Sequence, residues 1–112
     1  MTSIRQERIN SLLRRELAQI FQRESRNLFQ GKFITVTEVQ VTKDLGLAKI
    51  YLSILASADD EADLRMIEEQ NRMVRKLLAS RVRKQLRKIP ELRFYIDDSL
   101  DRYEEINRLL KN

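Results

Sequence analysis

The sequence contains no cysteine and no histidine in its 112 residues. Without cysteine the chain can form no disulfide, no thiolate zinc site and no cysteine nucleophile. Without histidine it lacks the usual general base near neutral pH and the commonest metal ligand. Only two glycines are present, so no glycine-rich phosphate-binding loop can be written. Carboxylates and lysines remain as possible catalytic groups, but this composition predicts a protein that is not an enzyme and that holds no metal and no cofactor.

Long apolar runs are also missing. Residues 1–20 alternate charged and apolar side chains instead of forming a signal-peptide core, and no segment has the length of a membrane span. We therefore predict a soluble, cytoplasmic protein, a monomer that has no membrane partner. The length predicts a single domain over residues 1–112. The 22 Lys and Arg residues outnumber 17 acidic residues and give a net charge of +5, which permits a polyanionic partner.

The first helix is predicted from its cap and its apolar period. Ser3-Ile-Arg-Gln6 fits a capping box, in which a serine and a glutamine side chain satisfy each other's backbone N–H groups. Apolar residues then recur at steps of three and four, which is typical of one buried helix face. This stripe comprises Ile9, Leu12, Leu13, Leu17, Ile20 and Phe21.

After this helix the apolar period changes to two, which predicts strands. The apolar residues of 34–36 and 39–41 fall out of phase with each other, so we predict a bulge or twist near residues 37–38. Turn-forming residues occupy 43–46, and strict alternation of buried and exposed types continues over 48–55. The two strands and the turn between them predict an antiparallel hairpin.

The second half of the chain predicts two paired helices, a strand and a last helix. Acidic residues at 59–63 resemble a metal cluster, but a helix N-terminus is the better interpretation, because acidic side chains complement the helix dipole. The next helix contains a basic stretch and runs to Lys88, where Pro90 prevents its continuation. Alternation over 92–96 predicts a third strand, and residues 98–112 predict a C-terminal helical extension.

The resulting order, α-β-β-α-α-β with an added C-terminal helix, is that of a type II KH domain, an α+β fold of two layers. A working KH domain clamps single strands with a Gly-x-x-Gly loop between its paired helices, but here residues 69–72 hold no glycine. The strands also lack the aromatic pairs of an RRM, since we interpret Tyr51 and Tyr95 as isolated. The sequence therefore favours shape recognition of structured RNA over base-by-base reading of single strands.

The strongest functional signal is the stretch 72–88, with eight basic residues in seventeen positions and no acidic one. A helical wheel places Val74, Leu77, Leu78, Val82 and Leu86 on one side. Opposite this stripe lie Arg72, Lys76, Arg83 and Arg87, while Arg75, Arg81, Lys84 and Lys88 flank it. Like charges one turn apart oppose helix formation, so the uniform sign indicates a polyanion-binding surface rather than an ordinary solvated face. Nucleic acid is preferred to a membrane, because the apolar face carries no Trp or Phe and must cover the sheet.

Three segments of the chain resemble the bacterial ribosome-binding factor A family. They are Val36-Thr-Glu-Val-Gln-Val-Thr-Lys-Asp-Leu45 continuing to Ala48-Lys-Ile-Tyr-Leu-Ser53, then Val74-Arg-Lys-Leu-Leu78, and Pro90-Glu-Leu-Arg-Phe-Tyr-Ile-Asp97. Arg8 also matches a position where the family usually has arginine. The resemblance implies a KH-like fold and a non-enzymatic assembly factor. Such a factor binds the immature small ribosomal subunit and its rRNA, supports late rRNA maturation and leaves before translation.

The resemblance also implies a kink between the paired helices, where family members typically carry Ala-x-Gly. Gln70, Asn71 and Arg72 occupy the matching positions here. Either Asn71 adopts a left-handed conformation in place of the glycine, or the two helices run closer to continuous.

From the wheel and the resemblance together we expect RNA to contact a set of nine basic residues. They are Arg8, Arg72, Arg75, Lys76, Arg81, Arg83, Lys84, Arg87 and Lys88. Two other hypotheses stay open at this point. The chain could be a generic KH-like module for messenger RNA or DNA, or a domain whose basic helix docks an acidic protein partner.

Overall fold

The computed structural model describes residues 2–97, in which helices cover one face of a three-stranded sheet. The order follows the prediction except for one additional short helix, and the predicted C-terminal helix over 98–112 lies outside the described residues. The elements are α1 Ile4–Arg23, α2 Ser25–Leu28, β1 Ile34–Val41, β2 Leu47–Ile54, α3 Asp60–Glu69, α4 Asn71–Val82 and β3 Glu91–Ile96.

Helix α1 begins at the predicted capping box. The Gln6 N–H donates to the Ser3 hydroxyl oxygen at 3.1 Å, and the Ser3 N–H donates to the Gln6 side-chain oxygen at 3.1 Å. Most of the predicted apolar stripe is buried, and Leu12 is half-buried at its border. The short helix α2 was not predicted, because its four residues carry no apolar period and no side-chain cap.

Strand β2 is the centre of the sheet: it pairs antiparallel with β1 and parallel with β3. The register between β1 and β2 shifts between Val36 and Glu38, so the predicted bulge is confirmed. The extra residue brings the two out-of-phase halves of β1 onto the same face. Ile34, Val36, Val39 and Val41 are consequently all buried beneath the helices.

Helix α4 ends at Val82, so the prediction that it continues to Lys88 was wrong. The N–H groups of Gln85 and Leu86 both donate to the Val82 carbonyl oxygen at 2.9 Å, and the chain then leaves the helix. It must turn here because β3 starts beside the beginning of β2, where the Glu91 N–H donates to the Gly46 carbonyl at 2.9 Å. We call residues 83–90 the connection.

The junction between α3 and α4 is a single residue, Gln70, with φ −96° and ψ 7°. Asn71 belongs to α4 and has no positive φ, so of the two alternatives the left-handed Asn71 was wrong. Its side-chain amide instead donates to the Leu92 carbonyl at 2.9 Å, and the Phe94 N–H donates to the Glu68 carboxylate at 3.0 Å. These bonds satisfy backbone groups on the outer edge of β3, which would otherwise be available for pairing with another chain.

A candidate RNA-binding surface

The nine basic residues expected to bind RNA fall into two groups according to what their side chains contact. Two of them hold the fold together. The Arg75 guanidinium donates to the carbonyl oxygens of Ile89 at 2.7 Å and Pro90 at 3.1 Å. The Arg81 guanidinium lies 2.8 Å from a Glu16 carboxylate oxygen and also binds Gln19, so it joins α4 to α1. Charge-assisted bonds of this kind fix both the connection and the packing of the two helices.

The second group is exposed and begins on the outer face of α4. Arg72 and Lys76 are exposed, and neither forms an ion pair with an acidic residue among residues 2–97. Together with Arg75, Ala79 and Ile89 they line a shallow cleft of about 340 Å³. Because Ile89 belongs to the connection, this cleft joins the outer face of α4 to the residues that follow the helix.

The connection adds four exposed cations. They are Arg83, Lys84, Arg87 and Lys88, and none of them forms an ion pair within residues 2–97. Lys88 nevertheless lies near one acid, Asp44, in the turn between β1 and β2. A hydrogen bond from the Thr42 hydroxyl and one from the Gly46 N–H lower the pKa of the Asp44 carboxyl, and the charge of Lys88 lowers this pKa further.

The beginning of α1 lies at the same end of the molecule. The Gln6 side-chain amide donates to the Val41 carbonyl at 3.1 Å, and the Val41 N–H donates to the Asn10 side-chain oxygen at 2.8 Å. An open groove of about 660 Å³ lies between this part of α1 and the connection. Arg5, Arg8 and Arg15 line the groove, with Gln85 and Leu86 opposite; its other lining residues are Ile4, Glu7, Ile9, Ser11 and Leu12.

Arg8 is therefore brought next to the connection, which is far from it in the sequence. Arg5 lies one turn before Arg8 and lines the same groove, although the sequence analysis did not select it. Its spacing of three from Arg8 places the two side chains on neighbouring positions of one helix, and this signal would have identified it. We use the name basic surface for Arg8, Arg72, Lys76, Arg83, Lys84, Arg87 and Lys88.

The acidic residues at 59–63 serve the start of α3, as predicted. Asp59 is the N-cap and accepts a hydrogen bond from the Ala62 N–H at 3.2 Å. Asp63 is buried, with Lys32 at 3.8 Å and the Ser57 hydroxyl donating at 2.6 Å. Asp59 and Asp63 thus have local partners, and no acid of 59–63 forms an ion pair with a cation of the basic surface among residues 2–97. Of the four described helices, none has the length and apolar character needed to cross a membrane.

The outer face of the sheet corrects one interpretation of the sequence. Tyr51 and Tyr95 are not isolated: they are partners on β2 and β3, and their ring centroids lie 5.4 Å apart with an interplanar angle of 25°. No local pattern in the sequence indicates this pair, because the two residues belong to strands separated by both α3 and α4. Only the parallel pairing of β2 with β3 brings them together.

Comparison with known proteins agrees with the fold and with the resemblance noted in the sequence. The chain is 25% identical to ribosome-binding factor A from Thermus thermophilus, whose crystal structure superposes with a TM-score of 0.68 over 81% of this chain and 94% of that one. A homology model of the Thermus thermophilus protein, fitted into a cryo-EM map of a 30S–RbfA complex, gives 30% identity and a TM-score of 0.63, covering 80% and 91% of the two chains. The predicted α+β, KH-like fold is therefore confirmed.

Sequence relatives agree with the structural neighbours. Ribosome-binding factor A of Cytophaga hutchinsonii is 46% identical over 101 residues, which cover 90% of this chain and 76% of the relative. A sequence model of the family described as ribosome-binding factor A matches residues 5–110. The chain belongs to the ribosome-binding factor A family.

Proposed function

We propose that this chain is an assembly factor that binds the immature small ribosomal subunit in the cytoplasm. It contacts structured rRNA through the basic surface and supports late rRNA maturation. The observation that carries this proposal is that seven exposed cations on α1, α4 and the connection form no ion pair with an acid among residues 2–97. The related Thermus thermophilus protein was fitted into a map of a 30S complex, and this supports the small subunit as the partner that we propose.

The proposed mechanism is occupancy of an RNA region rather than catalysis. Lys and Arg side chains that neutralise phosphates release condensed counterions, and this release makes affinity strongly dependent on salt. The basic surface extends over two helices and a loop that the fold holds in fixed relative positions. Such a surface suits an RNA region that is itself folded, because several phosphates must be presented together. Binding would hold this region in its immature arrangement until the factor leaves.

The test measures the affinity of the purified protein for isolated small subunits between 50 and 200 mM salt. With about five phosphate contacts, we expect the affinity to fall by a factor of about 10²–10³ over this range. Replacing two cations of the connection, Arg83→Glu plus Arg87→Glu, is expected to weaken binding by about a hundredfold at the lower salt concentration. In a cell extract the wild-type protein should sediment with free small subunits and not with translating ribosomes.

A matched control makes the same change of charge at the C-terminal end of α1 and in α2. Arg23 and Arg26 are exposed, and Arg23→Glu plus Arg26→Glu alters the net charge as much as the test variant does. This control should bind subunits within about threefold of the wild type. Affinity that does not respond to salt, or test and control variants that behave alike, would contradict the proposal. Binding of short oligonucleotides as tight as binding of subunits would favour a generic nucleic-acid module instead, and capture of proteins after nuclease treatment would favour an acidic protein partner.

A further inference from the structure

The outer face of the sheet carries a compact group of two aromatic and two basic side chains. Tyr51 and Tyr95 are stacked partners on β2 and β3, and each is half-buried. Two residues earlier on the same strands, Lys49 and Arg93 are also register partners. All four alternate with buried residues, so they lie on the face opposite the helices. We call these four residues the tyrosine face.

Lys49 and Arg93, the two cations of this face, do not stabilise the sheet. Like charges directly beside each other on neighbouring strands repel and destabilise the pairing. Neither Lys49 nor Arg93 forms an ion pair with a residue in the range 2–97. Three acids lie on the same side of the sheet. Glu38 accepts from the Gln40 amide, and Asp97 accepts from the Thr37 hydroxyl. Glu91 precedes Arg93 by two residues on β3, but it forms no ion pair with a residue in the range 2–97. The pair of cations is therefore available to an external anion.

The chemistry of the four side chains matches unpaired nucleotides. Aromatic rings on the exposed face of a sheet stack with bases, and neighbouring cations bind the phosphates that link them. Residues two apart on a strand are about 6.6 Å apart, so a cation and a ring can contact the same or adjacent nucleotides. A folded RNA helix keeps its bases stacked inside and offers them to no such ring. The face is thus suited to a single strand and not to a duplex.

We propose that the tyrosine face is a second RNA-binding surface, on which a short single-stranded segment stacks its bases against Tyr51 and Tyr95 while Lys49 and Arg93 bind its phosphates. This inference goes beyond the proposed function, which concerns structured RNA at the basic surface. It does not depend on that proposal, since different residues on a different side of the sheet carry it. A protein that held both surfaces on RNA would contact a folded region and an adjacent unpaired strand together.

The test uses tyrosine fluorescence of the full-length chain. The sequence holds three tyrosines and no tryptophan, so bases that stack on the tyrosine face quench a signal that no tryptophan obscures. The probe is a ten-nucleotide single-stranded uridine RNA at low salt, compared with a blunt RNA duplex of the same length. We expect the single strand to quench the fluorescence in a saturable manner and the duplex to quench it much less.

Substitutions of the rings then identify the surface. Anisotropy of a labelled single strand should show binding weakened by about tenfold to a hundredfold in Tyr51→Leu plus Tyr95→Leu, because stacking contributes strongly for each base. Tyr51→Phe plus Tyr95→Phe keeps both rings and should bind within about threefold of the wild type. Thermal melting of each variant checks its fold. If the leucine variant fails to fold, photocrosslinking of a 4-thiouridine strand to the wild-type protein replaces it, and crosslinks should map to β2 and β3.

The cations give a second, independent measurement. Lys49→Gln plus Arg93→Gln should reduce the slope of log affinity against log salt by about 1.4, as two lost phosphate contacts require. A leucine variant that folds and binds the single strand as the wild type does would overturn the inference. So would crosslinks confined to α4 and the connection, or a single strand that causes no quenching. Because no ribosomal subunit is present in these assays, a failure here is distinct from a failure of the proposed function.

Discussion

Helix α4 carries two kinds of basic side chain, which differ in whether they bind another group within the protein. Arg75 and Arg81 bind groups within the protein: two carbonyls of the connection in one case, and Glu16 with Gln19 of α1 in the other. Arg72 and Lys76 lie on the outer face of the same helix and have no ion-pair partner within residues 2–97. The basic residues of α4 thus divide into arginines that stabilise the fold and cations for which we propose a role in RNA binding.

This contrast also shows what a helical wheel can and cannot tell. The wheel places Arg75 and Arg81 beside the apolar stripe, where long side chains cover the border of the core. It cannot name their partners, since Pro90 follows Arg75 by fifteen residues and Glu16 precedes Arg81 by sixty-five. The expectation that both arginines also contact RNA stays a prediction, and variants of the two pairs can separate the roles.

The largest effect, on subunit binding, is expected for Arg72 and Lys76 on the outer face of α4. Arg72→Glu plus Lys76→Glu should weaken the binding of isolated small subunits by about a hundredfold at 50 mM salt, because two phosphate contacts become repulsions. The melting temperature should change by no more than about 2 °C, since neither side chain has an ion-pair partner among the described residues. The measurements are subunit affinity and a thermal melt. A large loss of stability without a loss of affinity would reverse the roles assigned to the two pairs.

A smaller effect, on stability, is expected for the inward-facing Arg81. Arg81→Met keeps the length of the side chain but leaves the Glu16 carboxylate, itself mostly buried, without its 2.8 Å partner. We expect a loss of about 1–2 kcal/mol in the free energy of unfolding and a fall of about 5–10 °C in the melting temperature. Urea unfolding measures the first quantity. The control is Arg14→Met, which replaces an exposed arginine on α1 and should leave stability within about 0.5 kcal/mol. If the two variants unfold alike, the Arg81–Glu16 contact does not stabilise the protein.

The smallest effect concerns the junction of the paired helices. Asn71→Ala removes the donor to the Leu92 carbonyl on the edge of β3, so we expect a loss of about 1 kcal/mol and faster amide hydrogen exchange in β3. Gln70→Ala, one residue earlier, is the matched control and should change stability by about 0.5 kcal/mol or less. Equal exchange rates in β3 for both variants would mean that the edge does not depend on Asn71.

Features that rest on near neighbours in the chain could be predicted from the sequence. The structure confirms the capping box at Ser3, the bulge in β1 and the acidic start of α3. It also confirms burial of Val74, Leu78 and Val82 in α4, whereas Leu77 is half-buried and Leu86 lies in the connection. Each confirmed feature is encoded within a few residues, by a cap, a change of phase or an apolar period. The one-signed charge of 72–88 and the segments shared with the family are visible at the same level, so the class of fold could be predicted, and a class of partner proposed, without coordinates.

Tertiary structure alone decided where α4 ends, which of its arginines have partners and which aromatic residues meet. The apolar period continues through Leu86, but the parallel pairing of β3 with β2 draws the chain out of the helix after Val82. The same pairing stacks Tyr51 on Tyr95 and places Lys49 beside Arg93. These outcomes depend on contacts between residues far apart in the sequence, and a local pattern cannot specify them, because it reports only what lies within about one helical turn or one step of a strand.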